Sequence, residues 1–204
     1  MFAQDRLSVV SKVRAPFRPM RWLMAVLAML VISWSDFSSA DDSGEFQVED
    51  AHAWSDAGMQ MLDARFAIRL SSGAQEALDN GVPVVLELYV QLVKTHKWFW
   101  DSVEVDLTER RQLEYHALSR SYLVKNLNAG TQSNYRRLED ALLAAGTIDN
   151  LVLTDEPLQP GRSYIVRIRG SLDVESLPTP VRLLAYVSSA WDMHSEWYAW
   201  QLVR

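Results

Sequence analysis

From Leu62 the chain alternates between apolar and polar positions. Leu62, Ala64, Phe66, Ile68 and Leu70 are interleaved with Asp63, Arg65 and Arg69. That period of two predicts a half-buried strand. Ser72-Gly73-Ala74-Gln75 reads as a capping box that opens a short helix over about 73–79, which Gly81 stops and Pro83 keeps from resuming. A second strand starts near Val84, with Leu86, Leu88, Val90 and Leu92 on one face and Glu87, Tyr89 and Gln91 on the other. Alternation fails through KTHKWFWDS and resumes at Val103, Val105 and Leu107.

In QLEYHALSRSYLVK the apolar parity switches, so a β-bulge or a sharp bend is expected near Ser119. Gln132 to Ala145 reads as the one substantial helix, capped by Thr131 or Ser133, with Tyr135, Leu138 and Leu142 inward and Gly146 at its end. Strands follow at Leu151–Thr154 and Ser163–Asp173, where Tyr164, Val166, Ile168 and Leu172 alternate with Arg167, Arg169 and Asp173. Leu177-Pro178-Thr179-Pro180 is a stiff connection into Val181–Val187, and Trp197–Val203 closes the chain. Seven or eight short strands without a βαβ rhythm predict a mainly β fold. The expected form is an antiparallel, immunoglobulin-like β-sandwich with the long helix as a crossover.

Ahead of this body lies a different pattern. Trp22 to Ser35 is an uncharged run of 14 residues behind a basic flank, followed by Asp36-Phe37-Ser38-Ser39-Ala40. Such a run is short of the ~20 residues a membrane span needs. It suits the apolar region of a signal peptide over 1–40, cleaved between Ala40 and Asp41. A start at Met20 would give a more compact signal. The alternative is an uncleaved inner-membrane anchor over 22–40, against which Asp36 argues because a charge inside a bilayer is costly. Either way the body is expected in the periplasm. It divides into an acidic leader over 41–57, loose at Asp41–Asp50, and a single domain over 58–204.

Charge narrows the partners. Beyond Ala40 there are 15 Lys+Arg against 24 Asp+Glu, leaving the body near −9. Nucleic acid and anionic membrane surfaces would repel it, so membrane contact is expected only through the N-terminal segment. No cysteine is present, which removes thiol catalysis and thiolate metal sites.

The motifs ALDNGVPVVLELYV, KWFWDS, QLEYHALSRSYLV, RSYIVRIRGSLDVESLPTPVRL and WDMHSEWYAW occur here in that order, from Phe46 to Leu202. In this the chain resembles a family of exported bacterial proteins that carries a domain-of-unknown-function label, sometimes with the name proline-rich exported or signal peptide protein. The resemblance implies export, a single β-rich domain and an accessory role in the envelope beside a membrane sensor kinase. It transfers no catalytic residue. The LP.P segment holds two of the few prolines, so "proline-rich" describes this member poorly.

Candidate chemistry is sparse. His52, His96, His116 and His194 show no HxH, HxxxH or HExxH spacing, so neither a metal site nor a cofactor is indicated. His116 lies near Ser119 in sequence, and Asp173 could complete a hydrolytic triad, but no GxSxG elbow supports it. The aromatic residues say more. Six tryptophans lie in the body, and Trp98 and Trp100 share strand parity whereas Trp197 and Trp200 do not. Lys97, Trp98, Phe99 and Trp100 are therefore the candidate binding residues, facing a partner or the membrane, with core filling as the alternative. The expected function is a non-catalytic interaction module that binds another envelope protein. The alternatives are an envelope hydrolase or metal enzyme near His116, Ser119 and Asp173, or a small-ligand or glycan module built on Trp98 and Trp100.

Overall fold

The computed structural model describes residues 44–96 and 100–202. The signal-peptide and anchor readings, with the cleavage pair Ala40 and Asp41, lie outside them. The chain is mainly β, in two antiparallel sheets over a common core. The small sheet has the order β1-β2-β7, formed by Glu45–Asp56, Met59–Arg69 and Thr147–Thr154. The large sheet runs β6-β5-β4-β3-β8-β9, formed by Gln132–Tyr135, Ser121–Asn126, Ser102–His116, Val84–Thr95, Ser163–Leu172 and Tyr198–Gln201. Among the described residues three short α-helices complete it: α1 (Ser72–Asp79), α2 (Leu138–Ala145) and α3 (Thr179–Ala185). The expected antiparallel sandwich is there, though the three-and-six division differs from that of an immunoglobulin domain.

The acidic stretch read as a loose leader is a strand. Residues 45–56 form β1, which pairs with β2 from Glu45 opposite Arg69 to Asp56 opposite Met59. A register shift between Val48 and Asp50 moves the inward positions from Phe46 and Val48 to Ala51 and Ala53. That bulge hides the period of two from a sequence reading. The hairpin turns at Ala57 and Gly58, both left-handed (φ 48° and 92°).

Of the two forms expected near Ser119, the parity switch takes the sharp bend: a full hairpin between β4 and β5, with Arg120 left-handed at φ 48°. Two further expectations change. The helix expected over 132–145 begins only at Leu138, because Gln132–Tyr135 pairs with β5 as an edge strand. Gln-Ser-Asn offers no apolar stripe for a helix to bury, while the open edge of β5 supplies hydrogen-bond partners. Val181–Val187, an apolar run compatible with extended chain, falls largely in α3, with Pro180 in its first turn. The short helix is found where expected, but Ser71 caps it by accepting from the Ala74 N–H at 3.2 Å.

Strand β3 is the spine of the large sheet. Val84, Leu86, Leu88, Val90 and Leu92 are buried on its inner face, against Val166, Ile168 and Leu172 of β8. Phe46 reaches from β1 onto Gly170 of β8, where a Cβ would sit 2.5 Å from the ring. The inner face of β4 also carries one ion pair, Arg111 Nη1 to Glu109 Oε2 at 2.6 Å, and Arg111 is only 8% exposed.

Phe46→Ala should lower unfolding free energy by ~3–5 kcal/mol in urea titration, as for other large-to-small core changes. A loss under 1 kcal/mol would mean that β1 is the loose leader after all. Glu109→Ala should cost a similar ~3–5 kcal/mol, because it leaves the Arg111 charge buried and unpaired.

Candidate functional site

The outer face of the large sheet follows from the pleat. Because Glu87, Tyr89 and Gln91 alternate with the buried positions of β3, they point away from the core, as do Arg167, Arg169 and Ser171 of β8 and Asp106, Thr108 and Arg110 of β4. Register sets them in rungs: Arg110–Glu87–Ser171, Thr108–Tyr89–Arg169 and Asp106–Gln91–Arg167.

One rung is electrostatically closed. Arg110 Nη2 donates to Asp173 Oδ2 at 2.6 Å, and its Nε lies 3.1 Å from Glu87 Oε1. That Nε contact is Coulombic rather than a directed hydrogen bond, since the buried N–H finds no aligned acceptor. The Tyr89 hydroxyl donates to Glu87. Burial and then this bond push the Tyr89 pKa above its ordinary value, so the phenol stays a neutral donor.

The other two guanidinium groups are held differently. Arg169 lies 5.0 Å from the centroid of the Tyr89 ring and 5.2 Å from that of Trp197. Arg167 lies 4.9 Å from the Trp197 centroid and donates from Nε to Gln91 Oε1 at 2.6 Å. Among the described residues neither has a carboxylate partner, and the buried Nε of Arg169 has no hydrogen-bond acceptor. The rings fix both cations by cation–π attraction without neutralising them.

Trp197 arrives there through a bulge. Ser195 pairs with Gly170, its N–H donating to the Gly170 carbonyl at 2.8 Å, and Tyr198 pairs with Ile168. Glu196 and Trp197 therefore oppose Arg169 alone, and the extra residue turns Trp197 onto the outer face. Beside Arg169 a cleft of about 650 Å³ opens between Ser171 and Leu172 on one side and Tyr186, Val187 and His194 on the other. His194 Nδ1 is 3.0 Å from Asp192 Oδ1. Such a face can bind and orient an anionic group.

The candidates from sequence fall elsewhere. Lys97, Trp98 and Phe99 lie outside the described residues, and Trp100 is 96% exposed. His116, Ser119 and Asp173 form no triad: of His116, Ser119 Oγ reaches only the carbonyl, at 3.4 Å. His116 faces Glu114 at 3.5 Å, Ser119 shares a hydrogen bond with Ser121 at 2.7 Å, and Asp173 is held by Arg110. No three His, Asp or Glu side chains converge as metal ligands among the described residues. Sequence reasoning missed Arg167, Arg169 and Trp197 as a group. Their polar alternation was visible, but the pairing of β3 with β8 was not.

Residues 43–201 match the family described as "Domain of unknown function (DUF4390)". The chain belongs to this family. The match begins before β1 and ends with β9, so the acidic strand is part of the DUF4390 domain. No curated protein and no solved structure matches the chain.

Two measurements probe this DUF4390 face. Tyr89 contributes stability below the ordinary phenol pKa near ~10, and loses it as pH rises through the higher folded value. Alkaline titration of tyrosinate absorbance should therefore lose a late-ionising component in Tyr89→Phe; an unchanged curve contradicts the assignment. Trp100→Ala should shift stability by no more than ~0.5 kcal/mol, since its ring already lies in solvent.

Proposed function

We propose that this DUF4390 domain is exported to the periplasm and acts there as a non-catalytic interaction module that binds another envelope protein, in an accessory role to a membrane sensor system. The observation that carries the reading is the outer face of the large sheet. On a body with excess negative charge, it presents two arginines clamped by Tyr89 and Trp197 and unpaired with any described carboxylate. Fixed, un-neutralised guanidinium groups flanked by aromatic rings are a common chemistry of protein interfaces. The signal-like N-terminal pattern supports export, and among the described residues no helix is long and apolar enough to cross a membrane. The exposed Trp100, with its sequence neighbours Lys97, Trp98 and Phe99, supplies a second contact surface in this reading.

A photo-crosslinking amino acid placed at Val187 or at Trp100 in intact cells should capture a discrete envelope protein, and the mature chain should begin at Asp41 or retain its anchor. Fractionation of the whole chain with the cytosol, or crosslinks only to cytosolic proteins, would refute the reading.

A further inference from the structure

The cleft beside Arg169 has two kinds of wall. Its polar end is the Arg169 guanidinium, positioned by two rings and with an unsatisfied buried Nε, next to Ser171. Its other end is apolar and open. Tyr186 and Val187 are exposed, Val187 at 84%, and Leu183 and Leu184, shortly before them in the chain, are exposed too. Apolar side chains left in solvent around a concave site mark a surface that is covered by a partner. The volume, about 650 Å³, lies in the range of ligand-binding clefts.

The surroundings select the charge of the occupant. Asp192 stands at the rim and is engaged by His194, while Glu175 accepts from the Tyr186 hydroxyl at 2.6 Å and sits 3.9 Å from Arg182. With acids at the rim and a body near −9, a densely charged phosphate surface is repelled more strongly than one carboxylate. A single carboxylate matches Arg169, the one guanidinium in the cleft's lining.

We infer that this cleft takes an acidic side chain from an extended peptide segment of a partner protein, with the carboxylate on Arg169 and neighbouring apolar side chains on Tyr186 and Val187. The inference rests on the reading of the domain as an interaction module and names the surface and the chemistry that module uses. Arg169 selects, because a carboxamide in the same place leaves the cation unpaired. Tyr186 and Val187 supply contact area without choosing the charge.

The test is selection of a randomised eight-residue peptide library displayed on phage against the purified domain beginning at Asp41. Its enriched members are then remade as fluorescein-labelled peptides for anisotropy titration. Enriched sequences should carry Asp or Glu beside apolar residues, and replacing that acid by its amide should weaken binding at least tenfold. R169Q should remove the preference for acid over amide. V187S should weaken acidic and amide peptides alike by several-fold. Thermal unfolding of both variants shows whether the fold is kept, and R169K is the substitute if R169Q is unstable. The proposal is overturned if no peptide is enriched, if enriched peptides lack an acid, or if R169Q binds them as the parent does. It is also overturned if decanoate, inorganic phosphate or anionic vesicles occupy the cleft in place of peptides. Failure here with a crosslinked envelope partner at Trp100 leaves the interaction module standing on another surface. Success here without any crosslinked partner instead refutes the envelope role while keeping the cleft.

Discussion

The two sheets are tied by a contact that requires the absence of a side chain. Gly170 of β8 leaves room for the ring of Phe46, which would meet a Cβ at 2.5 Å. Through it β1 closes on the large sheet, and the ring joins the same core as Phe66 of β2 and Ile168 of β8. The same glycine is held from its other edge, where its N–H donates to Ser195 Oγ at 3.0 Å and its carbonyl accepts from the Ser195 N–H. One residue thus takes part both in the packing of the two sheets and in the pairing of the C-terminal segment. Because Ser195 is locked there while Tyr198 pairs with Ile168, the bulge that carries Trp197 over Arg169 follows from that anchoring.

Charge is used in two ways in the large sheet. On the inner face the Arg111–Glu109 pair is closed and screened from water, so each partner exists to neutralise the other. On the outer face Arg110 is likewise spent on Glu87 and Asp173, which ties the start of β3 to the segment after β8. Arg167 and Arg169 are fixed as firmly, yet by rings and a neutral amide. Structural needs would be met more simply by a carboxylate at either position. Their fixation without a described carboxylate partner sets them apart from the ion-pair network that holds Arg110.

Much of this was legible where alternation was clean. The inner positions of β2, β3 and β8 could be read from Leu62 to Phe66, Leu86 to Leu92 and Tyr164 to Leu172, since each buries one face. Reading failed where a local device broke the period. The bulge after Val48 disguised β1 as an acidic leader. Gln132–Tyr135 carries no strong preference, so the open edge of β5 decided its state. The candidate site failed for another reason. Tyr89 and Arg169 come from two strands and Trp197 from the segment leading into a third, and nothing in the local pattern of any one announces the register that sets them side by side.

The C-terminal stretch makes the same point within a few residues. Trp191 is buried beside Gly73 of α1, Trp200 packs from β9 onto the core, and Trp197 lies on the opposite face against the arginines. Crowded aromatic residues therefore serve three separate environments rather than one platform. Strand parity already separates Trp197 from Trp200, but it cannot say which of them meets a cation. That depends on the two residues accommodated opposite Arg169, so the chemistry of the outer face is set by a backbone irregularity rather than by composition. A ring whose face is occupied by guanidinium groups is a poor stacking surface for a sugar. It holds those cations in place by cation–π attraction instead.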